Sequence, residues 1–433
     1  MNALSILVFN SGSSSLKFSF FRMESSFFDD STNEKYPTES ILGEMPLPET
    51  FPLKTLFYGE MEMGQADLSR FYVKDGSNKT LVDEQIRAIT VADATLHILR
   101  YLAGFSTPSP EVIAHRVVHG GVGLVEHSFI NDKVLRQLKA SVEFAPLHNQ
   151  TALEIIHFTR KLFPKLPQVV CFDTAFHADM PDVAKLLPIS KDLHAMGIQR
   201  YGFHGLSCES VIGKLGKDLP EKLIIAHLGN GASVTAVKNG QSVDTSMGLT
   251  PSGGVMMGTR CGDLDPGVLI YLMREKKYDL SSIESLINHQ SGLLGVSAVS
   301  SDMRILHESA PSNPDAQLAI DMFCSSIAKQ IAAMTSVLNG VDALVFTGGI
   351  GENDALIRCA ICAKLAFFGL TIDAEKNQST HAEHGADSIS DASSSVEIYV
   401  AHSNENAQIA RHTWMLLFHH EHPAVLNNRA LSY

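Results

Sequence analysis

The sequence predicts an α/β protein with two domains. Its 433 residues exceed what one ordinary hydrophobic core organises. Two segments also resemble each other: "ILVFNSGSSSLKFSFF" at 6–21 and "LIIAHLGNGASVTAVK" at 223–238. Each has the pattern of an apolar strand, a turn with Gly, Asn and Ser, and an alternating strand. This internal similarity predicts two related domains that bring two such turns to one cleft.

The composition limits the possible partners. Hydrophobic residues make up 45% and charged residues 19% of the chain, and the mean hydropathy is +0.05. A net charge of −13 argues against nucleic acid and against a polybasic membrane contact. No apolar run is long enough to cross a bilayer, and the first residues lack the order of a signal peptide. We therefore expect a cytoplasmic protein without nucleic-acid or membrane partners.

The six cysteines are scattered through the chain, which predicts reduced thiols. Two of them belong to "CAIC" at 359–362, inside an apolar helical pattern. Core packing is favoured there over a redox pair.

The remaining patterns define further elements. Residues 24–83 are polar and rich in turn residues, which predicts an irregular elaboration of loops and short strands on the first domain. The other expected elements are a helix over 84–102, a buried strand opening 169–177, strand–turn–strand over 222–243 with a second turn at Asn239–Gly240, a helix over 316–340 ending at Asn339–Gly340, a buried strand leading into a glycine turn over 343–353, and a following helix.

The first turn is a candidate phosphate site. It offers backbone N–H groups, the hydroxyls of Ser13 and Ser15, and the ammonium of Lys17. Such a group of donors suits a phosphate. It is not a Walker loop, because the GxxxxGK[ST] spacing is absent and a strand follows. A serine-rich surface hairpin remains the alternative.

The segment "AHRVVHGG" places two histidines four residues apart, as in HExxH zinc enzymes. Arg116 stands where the glutamate should be, which argues against a zinc hydrolase. His115 and His119 are then expected to be buried, hydrogen-bonded histidines.

Three further motifs, "FAPLHN", "FDTAFH" and "RYGFHG", place titratable groups beside aromatic residues and turns. Each of His148, Asp173, His177 and His204 taken alone is more typical of structure than of catalysis. Their repeated position at strand ends and turns indicates an α/β enzyme site.

The glycine-rich segment "LTPSGGVMMGTRCGDLDPG" carries Arg260, which fits close approach to an oxyanion; a plain loop is the alternative. "TGGIGEN" is not a GxGxxG dinucleotide fingerprint and suits backbone packing against a nucleoside. "SSDMR" offers Asp302 and Arg304, alternatively a surface ion pair. "HSNEN" places Glu405 just before a helix, alternatively as a solvated cap.

Together, these motifs resemble the acetate kinase family, short-chain carboxylate kinases of the sugar kinase and actin-like ATPase superfamily. The resemblance runs from about residue 6 to 406 and also includes "AHLGNGASV", "VDTSMGLTP" and "LLGVSAVSSDMR". It implies two RNase-H-like domains with mixed sheets flanked by helices and an active site in the interdomain cleft. The expected domains are 1–173 plus 405–433, and 174–404 carrying most nucleotide contacts.

The family's activity implies reversible, Mg²⁺-dependent phosphoryl transfer between ATP and acetate, giving acetyl phosphate and ADP; Mn²⁺ can replace Mg²⁺. The implied reaction-centre residues are Arg116, Asp173, His204 and Arg260, of which His204 and Arg260 stabilise the transition state. The implied metal residues are Asn10 and Glu405, and Ser13 and Ser15 line the phosphate turn. The implied substrate residues are Arg116, Val118, Leu147, Phe203 and Pro251, with His148 in support. The implied nucleotide residues are Lys17, His227, Leu228, Gly229, Asn230, Gly231, Asp302, Met303, Arg304, Gly349, Ile350, Gly351 and Asn353.

These residue types suit phosphoryl transfer. The moving phosphoryl group is loosely bonded and highly charged, so catalysis is mostly positioning and electrostatic stabilisation. The acceptor is already a carboxylate near neutral pH, since its pKa is about 4–5. Asp173 is therefore expected to orient an arginine or take part in the transfer rather than to remove a proton.

Several alternatives stay open. Propionate kinase shares nearly every motif, and one methylene changes binding by roughly 1–3 kcal/mol. Bulky Val118 favours acetate, and butyrate kinase is disfavoured. A nucleotide-binding structural protein of the actin type is the alternative from another class. Gln150, Leu206 and Cys208 depart from the family pattern, and a homodimer through the second domain is expected from the resemblance.

Overall fold

The computed structural model describes residues 4–12, 15–23, 53–62, 68–87, 90–105, 109–380 and 385–421. Ser13 and the side chain of Leu147, both expected site residues, lie outside this description. The chain divides into two compact units, unit 1 comprising Met1–Ala175 with Asn404–Tyr433 and unit 2 comprising Phe176–Ser403.

Unit 1 is built on an eight-stranded mixed sheet. Its strands are β1 (Leu4–Ser11), β2 (Ser15–Met23), β3 (Leu53–Glu62), β4 (Leu68–Asp75), β5 (Thr80–Arg87), β6 (Val112–Val117), β7 (Ser128–Phe129) and β8 (Gln168–Phe172). Their spatial order is β5-β4-β3-β2-β1-β6-β8-β7. The central strands β1, β6 and β8 are parallel, and the strands outside them pair antiparallel.

Three helices of unit 1 follow in the first part of the chain. They are α1 (Val91–Ala103), α2 (Asp132–Ser141) and α3 (Pro146–Leu162). Helix α1 packs on one face, where Leu7, Phe18 and Phe71 form a core cluster with Ile98. A second cluster joins β8 to α2 and α3.

Two expectations for this unit are wrong in part. The described residues between 53 and 83 form long regular strands, where loops and short strands were expected. The helix expected over 84–102 begins only at Val91, because 80–87 pair with β4 and turn Val82 and Ile86 toward the core. Thr90 caps the helix and shares a capping box with Asp93.

Unit 2 contains a six-stranded mixed sheet. Its strands are β9 (Lys222–Leu228), β10 (Ala232–Lys238), β11 (Gln241–Thr245), β12 (Ala343–Thr347), β13 (Ala386–Ser388) and β14 (Glu397–Ala401). Their spatial order is β11-β10-β9-β12-β14-β13, with β9, β12 and β14 parallel.

The helices of unit 2 pack on this sheet and extend beyond it. They are α4 (Asp182–Lys185), α5 (Lys191–Ala195), α6 (Gly205–Leu215), α7 (Pro266–Glu275), α8 (Leu280–His289), α9 (Gly292–Ser297), α10 (Met303–Ser309), α11 (Pro314–Leu338), α12 (Gly348–Asn353), α13 (Ala355–Ala363) and α14 (Ala374–Ser379). Helix α6 shares a core cluster with β9 and β12, and α11 packs on β9 and β10. The last helix, α15 (Glu405–Glu421), belongs to unit 1 and packs on β1 and β6.

Two turn predictions have different outcomes. The end of α11 is confirmed: Asn339 and Gly340 adopt φ values of 52° and 117° directly after it. The glycine turn expected after β12 is instead the six-residue helix α12. The Glu352 side chain accepts the Gly348 N–H at 3.0 Å, which closes this turn.

The predicted fold class, α/β with two mixed sheets flanked by helices, is confirmed. In both sheets the first strand of the similar hairpin lies between its antiparallel partner and two parallel strands, followed by a short antiparallel strand at the edge. The strands β2-β1-β6-β8-β7 thus match β10-β9-β12-β14-β13. Among the described helices, none has the length and apolar character needed to span a membrane.

Candidate active site

The central parallel strands of unit 1 end beside one another in a group of polar residues. Asn10 lies in register with Arg116 across β1 and β6, and Asp173 follows the end of β8. The carboxyl ends of parallel strands are where α/β folds place their sites. Successive side chains of a strand point to opposite faces of the sheet, and Phe9 and Val117 belong to the core clusters on one face. Their neighbours Asn10 and Arg116 therefore lie on the other face, against α15.

Arg116 is held by a carboxylate on its guanidinium edge. Its Nε donates to Asp173 Oδ1 at 2.9 Å, and its Nη2 donates to Asp173 Oδ2. Its Nη1 donates to the Ser11 carbonyl at 3.1 Å, and Glu405 Oε2 lies 3.7 Å from Nε. The two side chains of the ion pair are only 12% and 1% exposed. Burial lowers the pKa of Arg116, but the charges of Asp173 and Glu405 outweigh it and raise that pKa above its ordinary value.

Asn10 connects this group to the start of α15. Its amide Nδ2 donates to Glu405 Oε2 and to Asn406 Oδ1, both at 3.0 Å. Asn406 in turn donates to the Ser19 hydroxyl at 2.8 Å. The two donor hydrogens of Asn10 are thus directed at α15, which leaves its carbonyl oxygen as the acceptor of this side chain.

The described part of the first hairpin lies next to Asn10. Lys17 is the β2 partner of Asn10 in register, and its side chain is exposed. Gly12 donates its N–H to the Ser15 carbonyl at 2.8 Å, which closes the described ends of the turn.

In unit 2, His204 lies at the start of α6 with a left-handed backbone, at φ 59°. Its Nδ1 is 2.9 Å from the Ser233 hydroxyl, and its ring stacks on His227 with centroids 4.1 Å apart. His227, near the end of β9, places its own Nδ1 2.7 Å from the Ser207 hydroxyl. Each histidine therefore has its Nδ1 fixed by a serine.

The second hairpin turn and Arg260 lie beside His204. A Cβ atom on Gly231 would be 3.2 Å from Arg260 Nη1 and 3.5 Å from His204 Nε2. Arg260 Nη1 also donates to the Pro251 carbonyl at 3.1 Å. The turn closes with a Gly229 N–H to Gly231 carbonyl bond of 3.0 Å, and the Asn230 carbonyl accepts the Gly258 N–H at 3.0 Å.

The two segments expected to face adenine are both in unit 2. A Cβ atom on Gly229 would lie 4.0 Å from the Gly349 nitrogen, so α12 begins beside the second hairpin turn. Asn353 donates to the Gly349 carbonyl at 2.9 Å. Asp302 caps α10 and binds Arg304, whose hydrogen bond lowers the pKa of Asp302 below its ordinary value. Met303 is buried and Arg304 is exposed.

The expected substrate-wall residues divide between the units. Val118 belongs to unit 1 and is buried, while Phe203 and Pro251 belong to unit 2 and are buried. His148 is half-buried on α3. His115, which binds Gln168 at 2.9 Å, and His119, which accepts the Gly121 N–H at 2.8 Å, are the buried histidines expected.

Several supporting residues were not predicted from the sequence. Ser233 and Ser207 fix the histidines, Asn406 shares the Asn10 amide, and Glu352 holds α12. Glu352 also accepts from the Ser403 N–H at 3.0 Å and from His402 at 2.6 Å. Burial raises the pKa of Glu352, but the bonds from His402 and these N–H groups lower it below its ordinary value. Ser233 lies inside the quoted second hairpin, which was the available signal.

Similar solved structures identify the class of protein to which this fold belongs. A propionate kinase from Francisella tularensis superposes with a TM-score of 0.81 at 35% identity, covering 94% of this chain and 98% of that one. An acetate kinase from Porphyromonas gingivalis gives 0.78 at 32% identity, covering 96% and 100%. The fold is that of the short-chain carboxylate kinases.

Sequence comparison gives the family. An acetate kinase from Acetivibrio thermocellus is 39% identical over 96% of this chain and 99% of its own length. One from Clostridium botulinum is 46% identical over 70% of this chain and 77% of its own. The family model for acetokinases matches residues 5–411, so the chain belongs to the acetokinase family.

Proposed function

We propose that this chain transfers the terminal phosphoryl group of ATP reversibly to acetate, with Mg²⁺ as the metal and acetyl phosphate and ADP as products. Family membership and the acetate kinases among its relatives make it an ATP-dependent phosphotransferase acting on a carboxylate. The observation that carries the residue assignment is the Arg116–Asp173 pair beside Asn10 and Glu405 at the strand ends of unit 1.

Arg116 is assigned to the anionic reactants. A guanidinium has five N–H groups in a plane and matches the oxygens of carboxylates and phosphates. The bonds to Asp173 and Ser11 use three of them and fix the plane. Asp173 is then a brace for Arg116, because acetate reaches neutral pH without a proton to remove.

Asn10 and Glu405 are assigned to the metal. Carboxylate and amide oxygens, often through water, are the ligands that Mg²⁺ prefers. The Asn10 amide hydrogens are engaged by α15, so its carbonyl oxygen fits a metal-bound water. When bound, the ion neutralises charge on the phosphates. Mn²⁺, with the same oxygen preference, is proposed to replace it.

The cluster in unit 2 is assigned to the phosphates and the transferring group. His204 and Arg260 flank the glycine turn 229–231 and offer donors to the equatorial oxygens. The turn and His227 bind the β- and γ-phosphates, and the segments 302–304 and 349–353 face the adenine. Lys17, Ser13 and Ser15 of unit 1 are also assigned to the phosphates.

With these roles, the phosphoryl transfer needs no general base. A carboxylate oxygen of acetate attacks the γ-phosphorus while the bond from that phosphorus to the bridging oxygen breaks. The bridging oxygen keeps the electron pair and leaves as part of ADP. Positioning and charge stabilisation, rather than proton transfer, then lower the barrier.

The experiment is direct. Purified protein with ATP, Mg²⁺ and acetate should give acetyl phosphate, trapped as its hydroxamate. Arg116→Ala should lower kcat by about 100- to 1000-fold. Arg70→Ala, which removes an exposed arginine paired with Asp83, serves as the control and should keep full activity. No trapped product from the wild-type protein contradicts the proposal, and intact ATP consumption in Arg116→Ala favours the actin-type alternative.

Propionate is the second candidate substrate, because one structural relative at 35% identity is a propionate kinase. Val118 is branched and 5% exposed, which favours the smaller acid. Comparing kcat/KM for acetate, propionate and two further short acids decides between them. A higher value for propionate would replace acetate as the substrate.

We also propose a homodimer through unit 2, in the cytoplasm. Helix α7 has no buried side chain in the single chain, and Ile270, Tyr271 and Met273 are 57%, 48% and 47% exposed. Leu280, at the start of α8, is 74% exposed. An apolar surface of this kind is typical of an interface. Light scattering should give a dimer, and Ile270→Lys should shift it toward monomer.

A further inference from the structure

His307 and Asp354 form a contact that none of the assigned roles uses. His307 Nε2 lies 2.8 Å from Asp354 Oδ2, and the two side chains are 27% and 16% exposed. His307 is on α10, one turn after Met303, and Asp354 directly follows α12. The pair therefore joins the two segments that are assigned to the adenine, which come from separate parts of unit 2.

Asp354 presents this carboxylate from a fixed position. Its Oδ1 accepts the Ile357 N–H at 3.0 Å as the cap of α13. Its own N–H donates to the Ile350 carbonyl at 2.9 Å, and its carbonyl accepts the Arg358 N–H at 3.2 Å. Because one carboxylate oxygen caps the helix and the backbone is bonded on both sides, the second oxygen is held toward His307.

The buried side chain of Arg358 binds the backbone of α12. Its Nη1 donates to the Gly351 and Glu352 carbonyls, each at 2.9 Å. Its Nε and Nη2 donate to the side-chain and main-chain oxygens of Asn377, both at 2.7 Å. At 2% exposure, Arg358 anchors α12 to α14. The segment 349–353 is thus tied to α14 by Arg358, and the His307–Asp354 contact links its end to α10.

We propose that the His307–Asp354 pair is a positioning contact that sets the separation of the two base-facing segments and so determines which nucleotide base this chain accepts. The inference rests on the proposed nucleotide site. Walls held at a fixed separation exclude a base whose ring substituents do not fit between them, and this exclusion weakens when the walls move apart, so discrimination between bases falls. The phosphates and acetate are assigned to other residues, so their interactions are not affected.

The test compares His307→Ala with His307→Gln, which keeps a donor, and with Asp354→Asn, which keeps the helix cap but removes the charge. The control is His157→Ala, at an exposed histidine of unit 1 whose Nδ1 binds the Leu153 carbonyl in its own helix. Each protein is assayed with ATP, GTP and CTP at saturating acetate, and its Tm is recorded.

We expect His307→Ala to reduce the ratio of kcat/KM for ATP over GTP by about fivefold through KM, with kcat and the KM for acetate unchanged. Asp354→Asn should follow it, His307→Gln should recover most of the ratio, and His157→Ala should keep it. An unchanged ratio with a lower Tm, or an equal loss for all three nucleotides, overturns the inference. If His307→Ala does not fold, Asp354→Asn decides.

A separate measurement distinguishes failure of the proposed function from failure of the positioning role. Calorimetry of the wild-type protein with ADP tests the nucleotide site directly. Absence of ADP binding contradicts the proposed function, whereas ADP binding with an unaltered base preference in the variants contradicts only the positioning role.

Discussion

Arg116 and Asp173 meet edge to edge, with Nε and Oδ1 2.9 Å apart and a second bond alongside. Asp173 is 1% exposed, so its carboxylate is enclosed beside the cation that it orients. A carboxylate engaged on both oxygens by a guanidinium is a poor proton acceptor. The geometry therefore favours Asp173 as the residue that orients Arg116 rather than as a general base. The two roles predict different effects of pH on kcat.

Asp173→Asn should lower kcat by about 10- to 100-fold, because Arg116 loses one of its two charged bonds and its fixed plane. The kcat–pH profile between pH 6 and 8 should keep the wild-type shape, since no base is removed. Asp83→Asn, at an exposed carboxylate that also binds an arginine, is the control and should have wild-type kcat. Loss of a pH-dependent limb in Asp173→Asn would assign proton transfer to Asp173.

Asn10→Ala should raise the Mg²⁺ concentration for half-maximal activity about tenfold, because the amide oxygen assigned to a metal-bound water is lost. Asn406→Ala removes only one partner of the Asn10 amide and should have a smaller effect. Titration of activity with Mg²⁺ at fixed ATP measures both. Equal Mg²⁺ requirements in Asn10→Ala and the wild type would remove Asn10 from the metal site.

Ser233→Ala should lower kcat about tenfold with little change in either KM, because the His204 ring loses the hydroxyl that orients it. Ser233→Thr keeps the hydroxyl and should recover most of the activity. Ser242→Ala is the matched control, since its hydroxyl binds buried His177 at 2.8 Å instead. Steady-state kinetics with both substrates varied checks this, and equal losses in the Ser233 and Ser242 variants would argue against a role in orientation.

Acid should destabilise unit 2 through His177. Burial lowers the pKa of His177 to about 4, from an ordinary value of 6.5, while the bond to the Phe203 carbonyl opposes the shift. Between these values the unfolded chain binds the proton and the folded one does not, so stability falls as the pH falls. At pH 5 the loss from this group is about 2 kcal/mol.

His177→Asn should therefore flatten the dependence of Tm on pH between 7 and 5, even if its Tm at pH 7 is lower. The comparison of slopes separates titration from lost packing. A mutant slope as steep as that of the wild type would show that His177 contributes no proton uptake on unfolding.

The sequence predicted those helices and strands whose determining residues lie within the element or directly beside it. The hairpins around 6–21 and 223–238 have both an alternating strand and turn residues, and α11 ends at Asn339–Gly340 as expected. Residues 84–87 were expected in a helix but form a strand. Their pairing with β4 is a contact between separate segments, and a local stretch of sequence does not show it. The helix α12 was likewise hidden, since the Glu352 side chain that closes it acts on the backbone at Gly348.

The candidate site was proposed from residues with strong chemistry and family motifs, such as Arg116 and His204, and their roles stay predictions. Ser233, which binds His204, and Asn406, which binds Asn10, were not predicted, because they are ordinary in type and act through contacts far apart in the chain. The His307–Asp354 pair joins residues separated by 47 positions and has no local signal.

The shared strand order of the two sheets has an evolutionary consequence. The hairpin at the same place in both sheets is the arrangement expected if one ancestral unit was copied within one gene. Since then the copies have kept their scaffold and lost their symmetry at the bends, where one carries hydroxyls and an ammonium and the other carries glycines and an imidazole. The two bends thus offer different binding groups on one scaffold, and substitutions there are where new specificities would be easiest to engineer.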